Sequence, residues 1–158
     1  MVLKQTISVG QNFATGPVMG RFLKGLKERK ILAIRCPVCG RRQSPPREIC
    51  AVCRVRNTEW VEVGPKGEMR MLEYVYYASP DPLTGDTRET PYGAIGVLLD
   101  GCRDEEVFWH LLNPAQLDRV QMGSVINGRV RKGSRLRPVW AQKRTGSIDD
   151  IQYFELDT

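Results

Sequence analysis

"CPVCGRRQSPPREICAVCR", residues 36–54, decides how this chain folds. It holds two Cys-x-x-Cys pairs, Cys36/Cys39 and Cys50/Cys53, with ten residues between the inner cysteines. A Cys-x-x-Cys on a tight turn offers two sulfurs to one ion. Two such turns brought together by a hairpin complete a tetrahedral thiolate shell, the set that zinc takes. Two disulfides or an iron–sulfur cluster are the other chemistries open to four cysteines. A thioredoxin-like redox role needs a βαβ pattern near the motif, and none is visible. Gly40 follows the first pair, where it can supply a left-handed backbone, whereas Arg54 follows the second. A four-cysteine shell leaves no open position for water or substrate, so the expected zinc is structural. In isolated zinc modules its binding contributes about 10–16 kcal/mol to folding. The metal therefore accounts for how residues 31–63 fold, not for what they do.

Composition bounds the rest. The chain has 158 residues, 41% hydrophobic and 27% charged, as expected for one globular domain or two small ones. No apolar run approaches the roughly 20 residues of a membrane span. The opening "MVLKQTISVGQNFATG" lacks the apolar core of a secretory signal. The expected compartment is the cytoplasm, where structural disulfides rarely persist. A net charge of +6 favours an anionic partner without naming it.

Working outward, the expected fold is mainly β, in three segments: an arm and helix over 1–30, a zinc ribbon over 31–63, and a barrel with a C-terminal extension over 64–158. Residues 17–30, "PVMGRFLKGLKERK", place Val18, Met19, Phe22, Leu23 and Leu26 at helical spacing, with a basic last turn that suits the helix dipole. This stripe packs either on its own domain or on a partner protein. "ILAIRC" and "TEWVEV" are strands flanking the knuckles, and the prolines of "QSPPRE" exclude a helix between them. "GPKG", residues 64–67, marks a module boundary.

Beyond it, "EMRMLEYVYYA", "YGAIGVLLD", "EVFWHLL", "SVINGRVRK", "LRPVWAQ" and "DDIQYFEL" read as strands. Ile95, Val97 and Leu99 share one face, and Val107, Trp109 and Leu111 are the alternating apolar set of the third barrel strand. "NPAQLDRVQMG" reads as a helix with Asn113 as cap, Pro114 at its first position and Gly123 past its end. Five or six strands with one helix after the third fit an OB-fold. "SPDPLTGDTRETPYG", residues 79–93, is a long loop of the kind that is often functional. "KRTGSIDD", residues 143–150, is a shorter polar loop.

Catalytic signals are weak. His110 is a lone histidine on a strand, Cys102 an ordinary thiol in a turn, and no catalytic residue is assigned. The basic stripe Arg129, Arg131, Lys132, Arg135 and Arg137 reads as a phosphate site or as a charged edge hairpin protected from association. OB-folds and zinc ribbons also bind single-stranded nucleic acid. A basic groove lined by exposed aromatics would mark that role, but here the aromatics mostly occupy strands, where core packing accounts for them.

Taken together, "RFLKGLKERKI" (21–31), "RCPVCGRRQSPPREICAVC" (35–53), "EWVEVGPKGEMRMLEYV" (59–75), "TPYGAIGVLLDG" (90–101) and "MGSVINGRV" (122–130) resemble the acyl-CoA-associated zinc-ribbon/OB-fold family, catalogued as domain of unknown function thirty-five. The resemblance spans about residues 17–142. Leu23 departs from it, since the family usually has Trp there, and the second knuckle lacks its glycine. The resemblance implies a small, non-catalytic subunit bound to a thiolase-like large subunit. Its helix and ribbon would dock on that enzyme, through Val18, Met19, Phe22, Leu23 and Leu26, and its barrel would lie near an acyl-CoA tunnel. It implies one structural zinc and CoA or acyl-CoA at the partner interface, which would give Arg129, Arg131, Lys132 and Arg135 a use against the CoA phosphates; no membrane partner is expected, and single-stranded nucleic acid is the alternative.

Overall fold

The structure, a computed structural model, describes residues 13–81, 84–103, 106–126 and 129–158, with only the backbone over 124–131. Helix α1 (Gly16–Lys27) opens it, with Pro17 in its first turn and Lys24 and Lys27 in its last. Arg29 then turns left-handed at φ 62°, and its N–H and that of Lys30 bond back to the carbonyls of Leu26 and Gly25. This closure ends the helix three residues before the expected point.

The ribbon is a three-stranded antiparallel sheet in the order β2–β1–β3: β1 (Ile31–Arg35), β2 (Arg42–Gln43) and β3 (Glu59–Val63). The first knuckle joins β1 to β2. The second is a smaller hairpin pinned by the Ile49↔Arg56 bridge.

The barrel sheet runs β10–β9–β4–β5–β6, with β4 (Gly67–Val75), β5 (Tyr92–Leu99), β6 (Val107–Leu111), β9 (Arg135–Trp140) and β10 (Ile151–Leu156). That is OB-fold order, in which the third and fifth barrel strands meet in parallel. Here they meet through one parallel bridge, Leu112↔Phe154, so the barrel is not closed by a continuous ladder. A 3-10 helix, Pro114–Arg119, follows β6, and the Asn113 side chain accepts the Ala115 N–H as its cap. It stops short of the expected Gly123, because Val120 is extended and the Gly123 N–H bonds to Met69 on β4.

Two strand readings need correction. "SVINGRVRK" is not one strand. β7 (Ser124–Ile126) and β8 (Arg129–Arg131) pair antiparallel, with Ile126 opposite Arg129. On β6 the inward set is Phe108 and His110, which sit opposite Val97 and Ile95, while Trp109 points outward. That strand is apolar on both faces, so alternation alone could not choose its inside.

One core runs through all three segments. Phe22 and Leu26 of α1, Ile31, Ala33 and Val63 of the ribbon, and Met69, Ile95, Val97, Phe108 and Phe154 of the barrel form a single buried cluster. Phe108 lies 6.3 Å from Phe22 and 6.2 Å from Phe154, ring centre to ring centre. Gly25 lets the helix lie against β1, since a Cβ there would stand 2.9 Å from the Leu32 side chain. The polar loop 143–150 is well tied. The buried Asp150 carboxylate accepts the Thr145 and Gly146 N–H groups at 2.8 Å each, and Arg144 Nε donates to the Lys27 carbonyl at the end of α1 at 2.9 Å. No helix among the described residues is long and apolar enough to cross a membrane.

Candidate metal centre

Both knuckles use the same local hydrogen bonds. In the first, the Gly40 N–H reaches the Cys36 carbonyl at 3.0 Å and the Cys36 N–H reaches the Arg41 carbonyl at 2.9 Å. In the second, Arg54 reaches Cys50 at 3.0 Å and Cys50 reaches Val55 at 2.9 Å. Each turn needs one left-handed residue. Gly40 serves at φ 70°, and Arg54 takes the same conformation at φ 56° despite its Cβ. The folded knuckles bring the sulfurs of Cys36, Cys39, Cys50 and Cys53 within 4.8 Å of one another.

The donor set fits zinc. A tetrahedron with Zn–S bonds of about 2.3 Å has S···S edges of about 3.8 Å, and Cys39 Sγ lies 3.8 Å from Cys50 Sγ. That distance is far beyond a disulfide bond of about 2.05 Å, and all five cysteines are free. The Cys53 N–H points at Cys50 Sγ at 3.4 Å. The hydrogen bond with Cys39, with burial, pushes the Cys53 thiol up to about 12. Cys39 is drawn the other way, chiefly by a hydrogen bond from the Arg41 backbone. Four cysteine sulfurs at this spacing suit one divalent ion between them, and the set is that of one structural zinc. Cys36 and Cys50 are buried, so the shell is closed on the protein side.

Other residues singled out in the sequence are placed as follows. Arg135 makes a two-pronged pair with Asp100 at 2.6 and 2.8 Å, which holds the Asp100 carboxyl below its ordinary range. Arg137 pairs with Glu155 at 2.8 Å. Lys132 is exposed, and the side chains of Arg129 and Arg131 lie outside the described residues. In the helix stripe, Phe22 and Leu26 are 1% and 0% exposed, sealed in the chain's own core, and Met19 and Leu23 pack against it; Val18 is half-buried. The stripe therefore covers this chain's own core, and of its five residues Phe22 and Leu26 have no surface to offer a partner. Cys102 is pushed up to about 11 by burial and by Glu106. His110, stacked on Phe108 and edge-on to Phe154, has its pKa lowered by burial.

Sequence reading missed three features. The Arg41–Glu106 pair, 3.0 Å long and mostly buried, ties the first knuckle to the barrel. Arg21 lies 4.6 Å over the Trp60 ring and ties α1 to β3. Tyr76 and Tyr77 are 74% and 77% exposed, and Tyr74 stacks on Tyr76, so these aromatics are not explained by core packing. Only the last carried a signal, an aromatic run ending at a loop.

Residues 23–59 match the family model described as ChsH2, rubredoxin-like zinc ribbon domain. No curated protein matches the chain. Among solved structures, a protein of unknown function from the DUF35 family of Sulfolobus solfataricus superposes with a TM-score of 0.58 at 19% identity, over 90% of this chain and 87% of that one. The Ltp2-ChsH2(DUF35) aldolase superposes with a TM-score of 0.58 at 16% identity, over 93% of this chain and 100% of that one. This chain thus shares the fold of these DUF35 structures, and its four-cysteine ribbon matches the ChsH2 zinc-ribbon model.

Proposed function

We propose that this chain is a non-catalytic, zinc-stapled accessory subunit of a CoA-dependent carbon–carbon bond enzyme of the thiolase class. The reading is carried by one observation: a ChsH2-type ribbon set in the fold that it shares with the Ltp2-ChsH2(DUF35) aldolase. In this reading the nucleophile and general bases belong to the partner. The chain's own chemistry agrees. Cys102, pushed up to about 11 by burial, is a poor nucleophile at neutral pH, and the His110 ring packs against two phenylalanines.

The partner surface lies off the helix core. Met71, Gly96 and Trp109 sit in one row across β4, β5 and β6, and Met71 and Trp109 are each 44% exposed. Met71 lies over Gly96, where a Cβ would stand 3.2 Å from the Met71 Cβ. An apolar row of this kind on a sheet is a liability in a free chain and a fit surface for a large subunit. A cleft of about 300 Å³ beside it, lined by Pro91, Tyr92, Leu111, Leu112 and Tyr153, has the apolar character of an acyl path.

The test is to purify the tagged chain from its native host and identify what co-elutes in stoichiometric amount. The expected companion is a thiolase-fold enzyme whose acyl-CoA turnover falls when this chain is removed, and Trp109→Glu should release it with zinc retained. A chain that elutes alone from native extract, or 3-oxoacyl-CoA cleavage by the chain alone, would overturn the reading.

A second reading, a single-stranded nucleic-acid module, is favoured by the exposed Tyr76 and Tyr77, since stacked bases suit such rings. Against it, Arg135 and Arg137 are neutralised by Asp100 and Glu155. Titrating the chain with a labelled oligonucleotide separates the two. Salt-dependent binding weakened by Tyr76→Ala would favour this second reading.

A further inference from the structure

Three guanidinium groups converge beside the first knuckle, away from the stripe on the barrel hairpin. An open cleft of about 520 Å³ is walled there by Arg35, Arg42 and Arg103, with Val38, Cys39 and Gly40 between them. Each arginine comes from a different element: the end of β1, the start of β2, and the turn after β5. A Cβ built on Gly40 would lie 3.8 Å from Arg35 Nη2 and 4.0 Å from Arg103 Nη2, so these nitrogens stand no more than 7.8 Å apart. Having no side chain, Gly40 leaves the space between them open.

Among the described residues, little answers this charge. Arg103 has no ion-pair partner among the described residues. Arg42 donates to the Gly101 carbonyl at 3.1 Å, which orients its fork and leaves its charge in place. Arg35 meets Glu59 at 3.3 Å, an exposed pair of small worth. Like charges this close repel unless an anion lies between them. A zinc held by four thiolates has a net charge of −2, and nearby arginines offset part of it. That role needs proximity alone, however, and does not account for an open cleft into which the barrel also sends a guanidinium.

We propose that this cleft is a binding site for a phosphate group, carried either by free phosphate or pyrophosphate or by a nucleotide-type ester such as the adenosine end of CoA. Planar guanidinium forks match phosphate oxygens in pairs, and several from separate elements can surround one group. The site stands whether or not the chain has an enzyme partner.

Calorimetric titration of the zinc-loaded full chain with inorganic phosphate, pyrophosphate and adenosine 3′,5′-bisphosphate at low salt tests this. Saturable binding of at least one is expected. Arg103→Ala and Arg35→Ala should each weaken it roughly tenfold, the loss of one charge-assisted contact, with one zinc retained. Arg137→Ala, whose charge is tied to Glu155, should bind as the wild type does. Bisphosphate binding tighter than pyrophosphate identifies a nucleotide ester as the natural source, and the reverse order identifies the free anion; either result supports the site. No saturable binding at millimolar ligand would overturn it. So would unchanged affinity in both variants, or loss of zinc from Arg103→Ala, which would assign the arginines to the charge of the thiolate centre.

Discussion

Shifting the first knuckle by fourteen residues reproduces the second: Cys36 becomes Cys50, Cys39 becomes Cys53, and the exposed Val38 becomes the exposed Val52. Their internal hydrogen bonds also correspond. What surrounds them differs. The first knuckle is fastened to the barrel by the Arg41–Glu106 pair and by Arg42 on the Gly101 carbonyl. The second is fastened within the ribbon, where the buried Asn57 donates to Gln43 and to the Arg47 carbonyl at 2.7 Å each. Its left-handed position is filled by Arg54 where the first has glycine. Two turns of one design can thus differ in what the metal must do for them. The first is held by metal and barrel together, and the second leans on the metal and on a strained arginine.

The strongest way to break this comparison is to remove the zinc. Cys50→Ala or exhaustive chelation should lower bound zinc from one per chain to none, measured by elemental analysis. Hydrogen exchange should then show the amides of Cys50 and Arg54 losing protection before those of Cys36 and Gly40. Simultaneous loss in both knuckles would mean that the barrel contacts do not hold the first. Next in size is Glu106→Ala, which removes the carboxylate that Arg41 meets at 3.0 Å. It should cost about 1.5–3 kcal/mol in chemical denaturation, the loss of one charge-assisted hydrogen bond, and bring the first knuckle's exchange toward that of the second.

Smaller effects test the backbone difference. Arg54→Gly should stabilise the chain by about 0.5–1 kcal/mol, because glycine adopts the left-handed conformation without penalty. Gly40→Ala should destabilise it by a similar amount. If Arg54→Gly is destabilising, the arginine side chain makes a contact that outweighs its strain. Smallest of all, Val38→Ser and Val52→Ser should each change stability by less than about 0.5 kcal/mol, since both tips face solvent at 69% and 61% exposure.

Cysteine spacing made the ribbon legible, because four thiolates at fixed offsets have few other uses. The barrel strands were legible where the bulky apolar residues fall mostly on one face, as in β5, where Ile95, Val97 and Leu99 alternate with the smaller Ala94 and Gly96. Sequence reading failed where pattern is silent about direction. On β6 both faces are apolar, and only pairing with β5 turns Phe108 inward. An amphipathic helix has an inside, but its sequence does not say whose core lies there, and Phe22 and Leu26 found the core of their own chain. The arginines posed the same problem. Arg135 and Arg137 stood out as a run, and both are answered by carboxylates far along the chain. Arg35, Arg42 and Arg103 are scattered in sequence and meet only in space.

The bond from Arg144 to the Lys27 carbonyl has a consequence for the order of assembly. The helix is made before the ribbon and the barrel, yet the arginine that fastens its end lies 117 residues further along the chain. Until residues 143–150 arrive, the apolar face of α1 can lie on the ribbon but lacks the far wall of its seat. The helix is therefore locked only after the ribbon and most of the barrel have been made. Arg144→Ala should leave the zinc knuckles in place and present a more loosely held α1 to proteases.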